Sequence, residues 1–292
     1  MASPPPLRTV TEIVTQALKH VGRTSPTNDE ISAGASSLLR QVKKDITSRG
    51  LVFPELLTHY VWGTQAGLAS YALPTDIDKF QKATVLDAST FPGYLGTAQS
   101  GTAGTIRVET TLDEPTISQL QGKYVGIYEG MGFNQIRQVI NWNNTTKDLS
   151  VSPDWMMDPD STSKYLIAAG HWPLDEQIYQ EDFTRLRLPY TLGRPCICYQ
   201  DGFNLVLHHV PDKVYLIWIT YYAHLDKIDE TSTMFRTILT NHENVFVQGI
   251  AVKGGQRWDE DRYEREYGIY QDMLGELGGN KTRIRHMKFL NV

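Results

Sequence analysis

Four residues about two thirds of the way along the chain have side chains of the types that bind zinc. Cys196 and Cys198 are two positions apart, and His208 and His209 are adjacent. Zinc sites use wider spacings within each ligand pair. On a hairpin the two cysteines would share one face, whereas the two histidines would point to opposite faces. The sequence therefore predicts no metal site and no cofactor, and it places the cysteines in buried or edge strands.

Carboxylates occur in close pairs, such as Asp158 with Asp160 and Glu181 with Asp182. A glycosidase needs two carboxylates that face each other across the scissile bond, and neighbours in sequence rarely do so. The pair at 158 and 160 lacks the other spaced ligands of a calcium loop. The sequence contains no nucleophile-elbow, zinc-protease or phosphate-loop motif. Turn and helix-cap roles account for these acids, so we predict that the protein is not an enzyme.

Composition limits the remaining classes. The chain has 292 residues, of which 40% are hydrophobic and 21% charged, and its net charge is −5. This length suits one large or two modest domains with real cores. Because the net charge is negative, the chain as a whole is not expected to bind nucleic acid by neutralising its phosphates. The start lacks the apolar stretch of a signal peptide, and no apolar run is long enough to span a membrane. We expect synthesis in a reducing cytoplasm, no disulfide framework and no membrane partner.

The N-terminal region predicts two helices. Apolar residues from Val10 to Val21 recur at helical spacing, and Gly22 follows them. Thr27 and Glu30 have the spacing of a capping box. A second apolar stripe then runs over residues 31–46, and Gly50 is placed to end that helix.

From residue 58 the period changes to that of strands. Turn residues separate the runs, which is typical of an antiparallel sandwich or barrel. The small, polar stretch 96–105 predicts a mobile loop, and the aromatic run 215–222 predicts a strand covered on both faces or by another subunit. The shorter β-prone runs are 82–87, 104–109, 123–129, 135–141, 147–152 and 164–168.

Helical spacing returns after residue 233. One predicted helix ends near Gly254-Gly255, and a second, rich in tyrosine, ends at Gly278-Gly279. The whole chain is thus predicted as α+β: a helical platform from both chain ends, an inserted antiparallel β sandwich or barrel, and an extended C-terminal arm. The predicted bounds are 7–57 with 233–278 for the helical domain, 58–232 for the β-rich domain and 279–292 for the arm.

Two segments of the sequence resemble a known protein family. Residues 122–167 combine a strand, a Gly-x-Gly turn followed by Gln135 and Arg137, an Asn-rich turn and a valine strand. Residues 205–228 read as a strand, a Pro-Asp turn and an aromatic strand. In this order, and together with the turn at 71–76, they resemble the head-to-tail adaptors (connectors) of short-tailed phages, the tail tubular protein A group.

The resemblance implies a structural virion protein of the phage tail and neck, assembled in the host cytoplasm. Such adaptors form a homo-oligomeric ring, commonly a dodecamer, that binds the portal protein on one side and the tail nozzle on the other. The ring seals the packaged genome and forms part of the channel for genome ejection. Double-stranded DNA would pass through its lumen without specific binding.

The resemblance also directs attention to two sets of residues. The first is the basic and apolar C-terminal segment, expected to bind the portal, with a frayed chain end as the alternative of equal weight and direct DNA contact as a third option: Lys281, Arg283, Ile284, Arg285, Met287, Lys288, Phe289 and Leu290. The second is a set of aromatic residues expected at subunit or tail interfaces, although for any single one of them a core role is the stronger interpretation: Tyr215, Trp218, Tyr221, Tyr222, Tyr263 and Tyr267.

Two other functions stay open at the level of sequence. Trp155 and His171-Trp172 lie near the predicted ends of β-strands, where exposed aromatic side chains can bind sugars or proteins, although packing is the preferred interpretation for each of them. A β-rich carbohydrate- or protein-binding tail module outside the portal axis is therefore the alternative. A tail-associated hydrolase is the third class, although no carboxylate is singled out for it.

Overall fold

The computed structural model describes residues 7–287 except 24, 89–92, 110–116, 169, 177–190 and 259. The chain divides into two compact units. Residues Met1–Leu57 and Tyr222–Val292 form the helical unit, and Thr58–Tyr221 form the β unit. Helices and mostly antiparallel strands together give the mixed α+β class that the sequence predicts.

The first two helices begin where side-chain caps satisfy the free backbone N–H groups. Thr27 and Glu30 form the predicted capping box, and Thr9 forms a second one with Glu12. A π-helical turn, Gly34–Leu38, joins the second helix to the third. The helices are α1 Val10–His20, α2 Asn28–Ala33, α3 Leu39–Ser48, α4 Ile117–Leu120, α5 Thr233–Asn241, α6 Glu243–Trp258 and α7 Glu260–Met287.

The core of the helical unit contains side chains from both chain ends. Ile13 and Leu18 of α1 pack in one cluster with Phe246 of α6 and Tyr270 of α7. At Gly249 an added Cβ would lie 2.9 Å from atoms of Tyr270 and of Val42, so these helices approach closely. The N-terminal helices cannot bury their apolar faces without the C-terminal ones, which is why the ends fold together.

Two predicted helix ends and one predicted domain boundary in this unit are wrong. Helix α6 continues through Gly254-Gly255, which are buried, and α7 continues through Gly278-Gly279. Glycine costs a helix about 1 kcal/mol relative to alanine, but it does not by itself impose a stop. Residues 279–287 are consequently helical and not an extended arm. The segment 222–232 belongs to the helical unit because Leu225 is buried in its core.

The described strands of the β unit form three sheets. Two have four strands, in the orders β1-β15-β3-β11 and β12-β13-β14-β2, and the third has seven, β4-β10-β7-β8-β9-β6-β5. The bounds are β1 Leu57–Gly63, β2 Ser70–Ala72, β3 Ile77–Asp87, β4 Tyr94–Thr97, β5 Ser100–Thr102, β6 Thr105–Arg107, β7 Tyr124–Glu129, β8 Gln135–Asn143, β9 Asp148–Ser152, β10 Lys164–Ile167, β11 Gly170–Pro173, β12 Asp175–Glu176, β13 Ile197–Asp201, β14 Asn204–His208 and β15 Leu216–Ala223.

The seven-stranded sheet curls around a core of its own. Its two outermost strands, β4 and β5, are joined by only Ala98 and Gln99, so both sides of the sheet come together there. Ile127, Leu149 and Tyr165 are among the buried side chains inside the curl. The mobile loop predicted for residues 96–105 is therefore wrong. These small residues form strand ends and a hairpin that pair with distant strands β9 and β10.

Candidate interaction site

Two loops at one end of the seven-stranded sheet expose large apolar side chains. Met131 and Phe133, between β7 and β8, are 43% and 41% exposed. Met156 and Met157, between β9 and β10, are 91% and 54% exposed. We call these four residues the methionine patch. Exposed apolar groups that cluster on a folded protein commonly mark an interaction site.

Gln135 joins the two loops. Its Nε2 donates hydrogen bonds to the carbonyl oxygens of Gly132, at 3.2 Å, and Met157, at 3.0 Å. Its Oε1 accepts a hydrogen bond from the backbone N–H of Met156 at 2.7 Å. The Gln135 side chain is itself buried. The patch therefore lies on loops that are fixed from beneath.

Arg137 supports the same loops from the next inward position of β8. Its guanidinium donates to the carbonyl oxygens of Asp154, at 2.9 Å, and Ile136, at 2.8 Å, and to Gln135 Oε1 at 3.2 Å. It also lies 5.4 Å from the centre of the Trp155 ring. Burial lowers the pKa of Arg137, but a guanidinium remains protonated in proteins. Its charge is thus held by backbone and amide oxygens beneath the loops.

Further contacts fix the first loop. Met131 N–H donates to Thr162 Oγ1 at 3.0 Å, and Ser163 Oγ donates to the Met131 carbonyl oxygen at 2.6 Å. Gly130 has a φ of 82°, and an added Cβ would collide with the Thr162 carbonyl oxygen. The ring of Phe133 packs edge-on against Tyr60, with 5.7 Å between ring centres.

Acidic residues lie beside the patch. Asp154 and Asp158 are exposed on the second loop, and Asp160 follows them, partly buried. A hydrogen bond from the Thr162 hydroxyl holds the pKa of Asp160 below its ordinary value. We call these three residues the acidic rim. Lys164, the nearest lysine along the chain, forms an ion pair of 2.7 Å with Glu129. The loop end combines apolar side chains with a negative border.

Two of the six aromatic residues predicted at interfaces are buried. Tyr215 and Tyr221 are buried in the β unit, where their hydroxyls donate to Asp212, at 2.6 Å, and Asp76, at 3.0 Å. Burial raises the pKa of both tyrosines. Their assignment to an interface is wrong, because folding of the chain itself covers them.

The other two aromatics of β15 are partly covered as well. Trp218 is half-buried, with its ring 5.8 Å from that of Tyr124 and 6.0 Å from the Lys82 ammonium. Tyr222 is half-buried against the core of the helical unit. Residues 215–217 are all buried, and half-buried residues alternate with buried ones from 218 to 222, so neither face of this run is fully open to solvent.

On α7 the tyrosines differ in exposure. Tyr270 is fully buried, Tyr263 is half-buried, and Tyr267 is 40% exposed. The rings of Tyr263 and Tyr267 stack with 5.5 Å between their centres. Tyr267 is therefore the one member of the predicted interface set that presents much of its side chain to solvent.

The predicted portal-binding segment lies at the end of α7. Positions 281, 283, 284, 285 and 287 belong to the helix, whereas Lys288, Phe289 and Leu290 lie outside the described residues. On this helical backbone, positions 284 and 287 are one turn apart, as are positions 281 and 285. The alternation of basic and apolar residues is thus not that of a strand over 281–287.

The imagined zinc ligands do not converge. Cys196 is exposed and Cys198 is buried, and neither forms a disulfide. Cys196 Sγ lies 3.7 Å from His209 Nδ1, which is also 3.3 Å from the Arg194 carbonyl oxygen. Across the described part of the chain, no group of three or more Cys, His, Asp or Glu residues could hold a metal ion.

The tryptophans near the strand ends have packing roles. Trp155 is buried in the core of the curled sheet, as expected for packing. The Arg194 guanidinium lies 4.0 Å from the centre of the Trp172 ring.

Within the described ranges, no helix is both long and apolar enough to cross a bilayer.

Comparison with known proteins gives no relative. No model of a known protein family matches the chain, and no curated protein matches its sequence.

The methionine patch is the part of the candidate site that the sequence does not predict. Its one signal is the presence of Met-Gly-Phe and Met-Met in segments otherwise rich in turn residues, where apolar side chains have no strand or helix face to bury.

Proposed function

We propose that the protein is a structural virion component, the head-to-tail adaptor of a short-tailed phage. Copies of the chain form a ring, with twelve as the expected number, between the portal and the tail nozzle. The ring seals the packaged genome and lines part of the channel through which DNA leaves. It forms and breaks no covalent bonds, and acts by holding its neighbours.

The observation that carries this proposal is the division of the chain. Both chain ends fold into one helical unit, and the residues between them form a β unit with separate cores. Each unit has apolar side chains left in solvent: Tyr267 and Ile269 on α7, and the methionine patch on the β unit. A ring subunit must contact neighbours through different surfaces, so it needs more than one such surface.

The charge of the chain agrees with a DNA channel. Each phosphate that a protein neutralises adds affinity for DNA, so a channel that must release its DNA gains from a low density of positive charge. With a net charge of −5, the chain has no overall attraction for the duplex. This supports passage of DNA without retention.

Co-assembly with the portal tests the proposal directly. The full chain is mixed with portal rings of the phage that encodes it, sedimented, and imaged in negative stain. We expect the chain to sediment with the rings and to add a ring-shaped layer to one face of them. Portal rings alone and the chain alone are the controls. A chain that stays in the supernatant at all ratios would refute the adaptor function.

The methionine patch also favours a second candidate, a binding module of the tail outside the portal axis. Flexible thioether side chains suit a protein surface better than a sugar, which needs directed polar groups. A protein ligand is thus the stronger form of this alternative. Saturable binding of glycans by the monomer, together with no portal association, would favour the carbohydrate form.

A further inference from the structure

We infer that the methionine patch and its acidic rim bind the basic C-terminal segment, residues 281–290, of a second copy of this chain. The inference rests on the proposed ring, for which it names a contact between neighbouring subunits. It gives the segment a different partner from the portal, to which the family resemblance assigns it.

The patch has the properties of a surface that accepts an apolar segment. Methionine side chains are unbranched and polarizable, so they adjust to ligands of irregular shape. Met156 is 91% exposed, whereas the Gln135 amide that holds its backbone is buried. Adaptable side chains thus stand on a fixed backbone, which reduces the entropy lost when a ligand binds.

The C-terminal segment is complementary in charge and in polarity. Residues 279–292 contain four Lys or Arg residues and no Asp or Glu, and no stretch of this length elsewhere in the sequence does so without overlapping them. Ile284 and Met287 stand between the basic residues, and Phe289 and Leu290 follow the last of them. Asp154 and Asp158 border the patch with negative charge. Opposite charges around an apolar contact speed association and fix its orientation.

The two surfaces lie on different units of the chain, so their contact between copies is heterologous. The segment ends the helical unit, and the patch lies in the β unit. A contact between two different surfaces can repeat from copy to copy and close into a ring. Each copy would then use its segment and its patch once, which leaves neither exposed in the closed ring.

A binding titration tests this contact without any portal. The probe is a fluorescein-labelled peptide of residues 279–292, titrated with the chain that lacks residues 279–292 and so has a vacant patch. We expect saturable binding at micromolar concentrations in low salt, and weaker binding as salt is added. Replacing Met156→Ser and Met157→Ser together should weaken binding by about tenfold or more, since two exposed apolar contacts are lost.

Matched variants separate apolar from charged contributions. Asp154→Asn with Asp158→Asn should weaken binding at low salt and flatten its salt dependence. Leu95→Ser, at a position 49% exposed on β4 of the same sheet, should leave binding unchanged. A peptide with Ile284→Ser and Met287→Ser keeps the charge and should bind more weakly. Circular dichroism of each protein variant confirms that it is folded.

Three results would overturn the inference. The first is no saturable binding, or equal binding to the patch variants and the unchanged protein. The second is binding of the peptide to portal rings but not to the truncated chain, which assigns the segment to the portal. The third is exclusion of the peptide by the full chain at every dilution, which assigns the segment to its own copy. Failure of portal co-sedimentation refutes the adaptor function and leaves this titration standing.

Discussion

The helical unit and the β unit use buried polar groups differently. Among the described residues, the helical unit buries Lys43 and Gln248, whereas the β unit buries Gln135, Arg137, Ser163 and several others. Three of those in the β unit bond directly to the loops of the methionine patch. Buried polar groups are costly unless they are satisfied, so a set of them beneath exposed loops is best explained by the need to fix those loops.

Loss of Arg137 is expected to have the largest effect. Arg137→Ala removes the donors for two carbonyl oxygens and for Gln135 Oε1, and it should lower the free energy of unfolding of the β unit by about 3 kcal/mol. Urea unfolding followed by tryptophan fluorescence measures this. Arg107→Ala is the control: it breaks an exposed ion pair with Asp148 and should cost less than about 1 kcal/mol. Equal losses in the two variants would mean that no loop framework depends on Arg137.

The close helix contact at Gly249 should come next. Gly249→Val places new atoms against Tyr270 and Val42, so overpacking should destabilise the helical unit by roughly 2 kcal/mol. Gly268→Ala is the matched control, because nothing lies within 4 Å of its added Cβ. It should stabilise α7 by about 0.5–1 kcal/mol. Circular dichroism at 222 nm during urea unfolding measures both. Stabilisation by both substitutions would show that these helices do not meet closely.

The smallest effect concerns Lys43, which is buried beside Phe235 and donates to the Ile228 carbonyl oxygen at 3.1 Å. Burial lowers the pKa of Lys43 below its ordinary value of 10.5. Between the lowered pKa of Lys43 in the folded protein and the ordinary value of 10.5, the unfolded chain binds more protons than the folded one. The contribution of Lys43 to the free energy of unfolding therefore increases as the pH rises through this range. The free energy of unfolding of wild type relative to Lys43→Met should therefore increase between pH 8 and pH 10.

Urea unfolding at the two pH values, followed at 222 nm, measures this difference. Lys44→Met, at an exposed position of the same helix, controls for the loss of a lysine. A difference between wild type and Lys43→Met that does not change with pH would contradict the prediction.

Local signals predicted much of the fold. The Thr27–Glu30 capping box was readable because all of its contacts lie within one turn. The runs 123–129, 135–141 and 147–152 match β7, β8 and β9 within a few residues, since apolar periodicity and turns define them. The strands within 96–105 are not predictable from local sequence, because these small residues form strands only by pairing with segments far along the chain.

Glycine was the least reliable signal, for a physical reason. Gly50, at a φ of 62°, follows α3 as predicted, whereas Gly254-Gly255 lie inside α6. The same residue type either ends a helix or lets another element approach it, and tertiary packing decides which. The candidate site escaped prediction similarly. The sequence places Gln135 after a Gly-x-Gly turn, but only the folded loops show that it supports exposed methionines.

Helix α7 has a consequence for how its last residues can be presented. Its 28 residues span about 42 Å if the helix is regular, and each residue turns the chain by about 100°. A helix of this length holds the segment at its end in one direction, whereas a flexible linker would let the segment sample many positions. The direction and reach of the C-terminal residues are therefore set by how many residues the helix contains. A change in that number would redirect them even if every side chain at the tip stayed the same.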